Sequence, residues 1–162
     1  MILVIVLTGI IAAAFAAGLV PTMRAFLVVD IRDEALQDAR IAMDRMVREI
    51  RQIRSATTAD IQTWTTNNLK FNDAYGNSIE FKLNGAGPPY DLLRNTGKLS
   101  GNVESLTFTY LQKDPPAGPG GAASAENQIW KVKVELQVKI SGETVKLRSE
   151  VYPVNFQVPE FL

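Results

Sequence analysis

The residues of this chain that could do chemistry are few and scattered. GAGPP (85–89) and GPGG (118–121) are glycine-rich. A phosphate-cradling loop needs Gly-Lys-Ser/Thr between a strand and a helix, and neither stretch has it; both read as loop tips. Carboxylates are spread along the chain, and the adjacent pair Asp33-Glu34 falls on a helical stretch. General acid/base work needs carboxylates converging in a pocket, so these are expected on a solvated helix face. Asp73 and Asn77 flank a tight turn, where such side chains satisfy backbone groups. No run supplies the several oxygen ligands of a calcium loop. Trp64 and Trp130 fit a core or sheet face better than a stacking platform.

Absences narrow the field further. With no histidine and no cysteine, a Ser-His-Asp triad, a histidine or thiolate metal site and a thiol nucleophile are excluded. An oxidising compartment is neither required nor excluded. Net charge is zero, and basic residues do not gather with aromatics, so nucleic-acid binding is not expected. The expectation is a non-enzyme without cofactor, metal or small-molecule substrate.

The elements that position these residues come next. The 162 residues favour one domain with an appendage. From Met1 to Met23 there is no ionisable side chain. A bilayer is crossed by about 20 apolar residues in helix. A cleavable signal has a basic start and a shorter apolar run, and a buried core helix would need other apolar segments around it. A membrane-inserting helix is therefore expected over 1–23, and Pro21 would weaken or kink it. Its candidate packing residues are Leu7, Gly9, Ala13, Ala16, Gly18 and Pro21, and the small ones, Gly9, Ala13, Ala16 and Gly18, permit close helix approach. Arg24 and Arg32 follow the run, which by charge alone puts that flank in the cytoplasm; a basic leader ahead of Met1 would reverse this.

An amphipathic helix is expected over 24–56. Its apolar stripe includes Ile31, Ala39, Met46, Ile50 and Ile53, at three- to four-residue spacing. Acids come early (Asp30, Asp33, Glu34, Asp38) and bases late (Arg45, Arg48, Arg51, Arg54), complementing the helix dipole. These charges read as a solvated face or as pairing with neighbouring copies of similar helices. Nothing forces a break, so one helix of about 80 Å could run from Met1 to Ala56.

Beyond Ala56 the period becomes two. SIEFKL, SLTFTYL and IWKVKVELQVKI alternate apolar and polar residues, as half-buried strands do. Trp130, Val132, Val134, Leu136, Val138 and Ile140 are expected on one face. Ser141-Gly142 reads as a hairpin turn, and Tyr75-Gly76-Asn77 as another. The expected fold class is α+β: a long N-terminal helix packed on a small antiparallel sheet over 57–162, with a flexible loop near 114–127.

This layout resembles type IV pilins and type II secretion pseudopilins. MILVIVLTGIIAAAFAAGLVP is similar to the family's amino-terminal helix. RIAMDRMVREIRQIRSA, YGNSIEFKL, LLRNTGKL, NVESLTFTYL and KVKVELQVKI…VYPVNF resemble the J-type minor pseudopilins and related minor pilins, and the likeness covers nearly the whole chain. That family begins with a basic leader ending in glycine, then phenylalanine and, a few residues on, glutamate. All would precede Met1, so the sequence is expected to start a few residues late.

The resemblance implies a minor subunit in assembly of a type II secretion pseudopilus or type IV pilus, including tip initiation with I-type and K-type partners. The implied partners are other pilin-like subunits and inner-membrane lipid. The implied place is the inner membrane, single-pass, with the head in the periplasm. The rivals are a membrane-anchored periplasmic binding domain that never polymerises, and an enzyme using carboxylates of the sheet.

Overall fold

The computed structural model describes residues 2–114, 120–140 and 142–156; within that range the side chains of 2, 3, 5 and 16–32 are not described. The chain divides into two compact units, Met1–Glu34 and Ala35–Leu162. The helix α1 has the bounds Ile2–Arg51.

Seven strands follow: β1 (Ile61–Trp64), β2 (Asn68–Asn72), β3 (Ser78–Asn84), β4 (Tyr90–Arg94), β5 (Gly97–Leu111), β6 (Lys131–Ile140) and β7 (Glu143–Val151). They form one antiparallel sheet in chain order, each paired with the next. Short connections force this meander, because an antiparallel neighbour can be reached through a few residues. Glycine supplies the left-handed backbone where two turns are tightest: Gly76 (φ 85°) between β2 and β3, and Gly142 (φ 88°) between β6 and β7.

Alternation decides which face is buried. In β6, Val132, Val134, Leu136, Val138 and Ile140 are buried, and the residues between them, Lys133 to Lys139, are partly or fully exposed. Opposite them in β5, Val103, Leu106, Phe108 and Tyr110 are buried. The register slips between Val103 and Ser105. One extra residue on β5 there keeps Val103 and Leu106 on the same face despite their odd spacing. Leu69, Phe71, Ile79, Phe81 and Leu92 extend the layer across β2–β4. Against it lie Ala39, Ala42, Met43, Met46 and Ile50 of α1. Each large side chain so buried contributes about 1.5–3 kcal/mol.

The helix ends where its stripe meets the sheet. Ile53 leaves the helix and bridges Asp73, Arg54 donates its N–H to the Asn72 carbonyl, and Asn155 donates to the Ile53 carbonyl. Glu49 anchors the last turns to β4 through Arg94 Nε, 2.7 Å away.

Two expectations are corrected. The α+β class, a long N-terminal helix on a small sheet, gives way to a fold dominated by a seven-stranded curled sheet. Within the second unit, α1 contributes one flank of the core, Ala39 to Ile50, and the sheet contributes the rest. The physical reason is packing: within the second unit, the turns from Ala35 onward bury their apolar face on the sheet. The second correction concerns the single-pass inner-membrane placement with a periplasmic head. No helix among the described residues is long and apolar enough to cross a membrane.

Candidate functional site

In the first unit, Val4, Val6, Leu7, Ile10, Ile11 and Phe15 are 49–68% exposed. Side chains three and four apart share a helix face, so these six form a broad apolar surface. Thr8, Gly9, Ala12 and Ala13 are small and fall on the other side, and a Cβ added at Gly9 would meet nothing within 4 Å. The Thr8 hydroxyl turns back to the Val4 carbonyl at 2.9 Å, so it presents its methyl outward. Scattered exposed apolar residues need no explanation, but a contiguous set of six does.

Of the candidate packing residues, Leu7, Gly9 and Ala13 lie on this exposed helix. Ala16, Gly18 and Pro21 fall outside the described side chains, as does Ile31 of the stripe. Ala39, Met46, Ile50 and Ile53 are 0–1% exposed and belong to the core of the second unit. The stripe is thus committed to the sheet and is not available to a partner. Sequence reading passed over Val4, Val6, Ile10, Ile11 and Phe15 as individual contacts, because composition marks the run and not which members stay uncovered.

The outward face of the second unit's helix carries Asp38, Ile41, Asp44, Arg45, Arg48 and Arg51, all exposed. Ile41, 54% exposed, breaks the apolar period; that departure was the signal for a second surface. Arg45 Nε bonds Glu49 at 3.0 Å, while Glu49 also receives Arg94.

Elsewhere the titratable groups hold the fold. Asp73 Oδ1 accepts the N–H groups of Tyr75 (2.9 Å) and Asn77 (2.8 Å), and Oδ2 accepts the Asn77 amide (2.9 Å). Burial works to raise its pKa, and the bonds from Asn77, Tyr75 and Gly76 outweigh it, leaving the carboxyl below its usual range. Glu135 sits 2.7 Å from both Lys146 and Arg148 on β7. The Lys146 hydrogen bond leads in holding its pKa down to about 2, with burial opposing and Arg148 adding. Glu80 is lowered chiefly by Lys82, 2.9 Å away. Lys131 is buried at the start of β6 and meets both oxygens of Asp114 at 3.0 and 3.1 Å. The Gly120 N–H, ahead of Lys131, lowers Asp114. Burial pushes the Tyr110 phenol up; its hydroxyl donates to the Thr65 carbonyl, and its ring meets Trp64 edge-on at 5.5 Å. Trp64 donates to Glu126 at 2.8 Å. None of these carboxylates is left over for acid/base work.

Clefts open on the head, two of them among the described residues. One of about 380 Å³ lies between Trp130, Phe156, Ile129 and Lys113, whose ammonium stands 5.0 Å above the Trp130 ring. The other, about 250 Å³, lies between Pro88, Pro89, Asn102, Glu104 and Lys139. Neither gathers a nucleophile with a base. Among the described residues no group of three acidic side chains could hold a metal ion. The apolar surface of the first unit is therefore the strongest candidate site. No protein-family model and no curated protein matches the chain.

Proposed function

We propose that the chain is a structural subunit of a pilin-like filament, of the minor pseudopilin or minor pilin kind. It joins other pilin-like subunits through the apolar helical surface at 4–15. The observation that carries this reading is the set of six large apolar side chains, Val4 to Phe15, 49–68% exposed. Burying each fully is worth about 1.5–3 kcal/mol, enough in sum to offset an association cost of about 4–15 kcal/mol. The small residues Gly9, Ala12 and Ala13 let a neighbouring helix approach closely. A head with its own core, Ala39 to Val151, supplies the part that stays outside such a packed bundle. The order of the sequence blocks that resemble minor pseudopilins points the same way.

Co-purification with a tagged full chain tests it. The parent should recover proteins with apolar N-terminal helices. Leu7→Arg should lose them while its head keeps the parental near-ultraviolet spectrum. Equal recovery by parent and variant, or no such protein with either, overturns the reading. Asp73, Glu80 and Glu135 are engaged in a turn and in ion pairs, which leaves an enzymatic reading without those three carboxylates.

A further inference from the structure

The larger cleft of the head joins apolar surface to a charge that the fold does not use. Ile129, Trp130 and Phe156 line it; Ile129 is buried, and Trp130 and Phe156 are half-buried. Lys113 is exposed, its ammonium 5.0 Å from the centre of the Trp130 ring. Lys82, Lys98, Lys131, Lys139 and Lys146 each meet a carboxylate, but among the described residues Lys113 meets none. The two tryptophans differ in the same way. Glu126 takes the Trp64 indole N–H at 2.8 Å, whereas that of Trp130 has no acceptor among the described residues. Gln128 Oε1 accepts from the Ser124 N–H, the Ser124 hydroxyl and the Gln112 amide, and the Gln128 amide N–H groups have no acceptor among the described residues. None of the described lining residues is acidic.

We propose that this cleft recognises a short peptide segment of a partner protein in which an acidic residue directly precedes an aromatic one. The aromatic side chain packs on Trp130 and Phe156, where offset or edge-on rings attract, and the carboxylate pairs with Lys113. Charge complementarity selects the acid: the cleft offers a cation and the N–H donors of Trp130 and Gln128, and its described lining has no carboxylate to repel an anion. The exposed Asn127 amide, unbonded among the described residues, holds the donor and the acceptor that a peptide group needs. The volume of about 380 Å³ lies near the lower end of small-molecule pockets, about 300–1,000 Å³, and suits one large side chain with its own backbone. The site lies within the second unit and does not rest on the filament reading.

Nitrogen–proton NMR of the full chain in a non-ionic detergent tests this, because each tryptophan gives its own indole N–H signal. The probes are the capped dipeptides acetyl-Glu-Phe-amide, acetyl-Gln-Phe-amide and acetyl-Glu-Ala-amide. The Glu-Phe probe should shift the Trp130 indole signal saturably and leave that of Trp64 in place. The Glu-Ala probe should bind roughly tenfold or more weaker, having no ring to bury. The Gln-Phe probe should bind about two- to fivefold weaker, the scale of an exposed ion pair. Lys113→Gln should abolish the preference for Glu over Gln, and Lys113→Arg should keep it, with the melting temperature unchanged in both. No saturable shift, equal shifts of both indoles, or a Glu preference that survives Lys113→Gln would overturn the site. A chain ending at Phe156 that binds Glu-Phe more than roughly tenfold tighter than the full chain would overturn the partner as occupant and give the cleft to the chain's own segment 157–162, which contains Glu160 and Phe161.

Discussion

At the scale of single residues, the chain spends its carboxylates on structure. Asp73 closes the β2–β3 turn by taking two backbone N–H groups and one amide. Asp73→Ala leaves those donors without partners and should destabilise the head by roughly 2–3 kcal/mol, read as a shifted midpoint in urea. Asp73, Glu80, Asp114 and Glu135 all have folded pKa values below their unfolded ones. In acid the unfolded chain therefore binds more protons. The stabilisation is fully present above the ordinary carboxylate range and is lost as pH falls through the folded values, reaching about 2 for Glu135. The melting temperature should decline steadily below about pH 5. The gap between the parent and Glu135→Gln should close as pH approaches 2. Some residue roles were legible and others were not. The Asp73–Asn77 turn follows from residue type and spacing. Trp130 did not follow: alternation in IWKVKVELQVKI assigns it to the core, yet Ile129 is buried and Trp130 is only half-buried beneath Lys113. Strand β6 begins at Lys131, so the period of two has no hold on the residue before it. Nor could the sequence pair Lys131 with Asp114, because that contact spans a loop.

At the scale of elements, burial rather than pattern decides what each helix turn does. Ala39, Met46, Ile50 and Ile53 recur with helical spacing, and the sheet covers all four. Met46→Ala should cost about 2–5 kcal/mol through the cavity it leaves. Ile41→Ala, on the opposite face, should stay within about 0.5 kcal/mol of the parent. Denaturant titration of both variants separates the faces, and equal effects would refute this assignment. The strands were readable where alternation is strict, as in β3, the second half of β5, β6 and β7. β1 and β4 were missed. IQTW and YDLLR are short, and DLLR has adjacent leucines that mask a period of two; Leu92 is buried while Leu93 is not. The bulge near Val103 hides the start of β5 for the same reason. The length of the sheet was underestimated because these elements carry little pattern of their own. An apolar run and an amphipathic run read alike as helix, and nothing local marks where packing on the sheet begins.

At the scale of the whole molecule, one chain forms two compact units. Residues 35–162 hold a complete core. A chain cut to that unit should unfold cooperatively, with a single transition by calorimetry. Gradual melting would mean that the first unit is needed for the head to fold. In the first unit the described large apolar side chains, Val4 to Phe15, are 49–68% exposed. The central claim is that this surface is where other subunits attach. The absence of native cysteine allows a direct measurement. Full-length Ile10→Cys is oxidised in cells beside Tyr75→Cys, whose site is 83% exposed at a loop tip of the head. The expected result is an intermolecular disulfide-linked product, joined to another apolar-helix subunit carrying a matched cysteine, for Ile10→Cys and not for Tyr75→Cys. A monomeric Ile10→Cys, or equal adducts at both positions, would contradict the account.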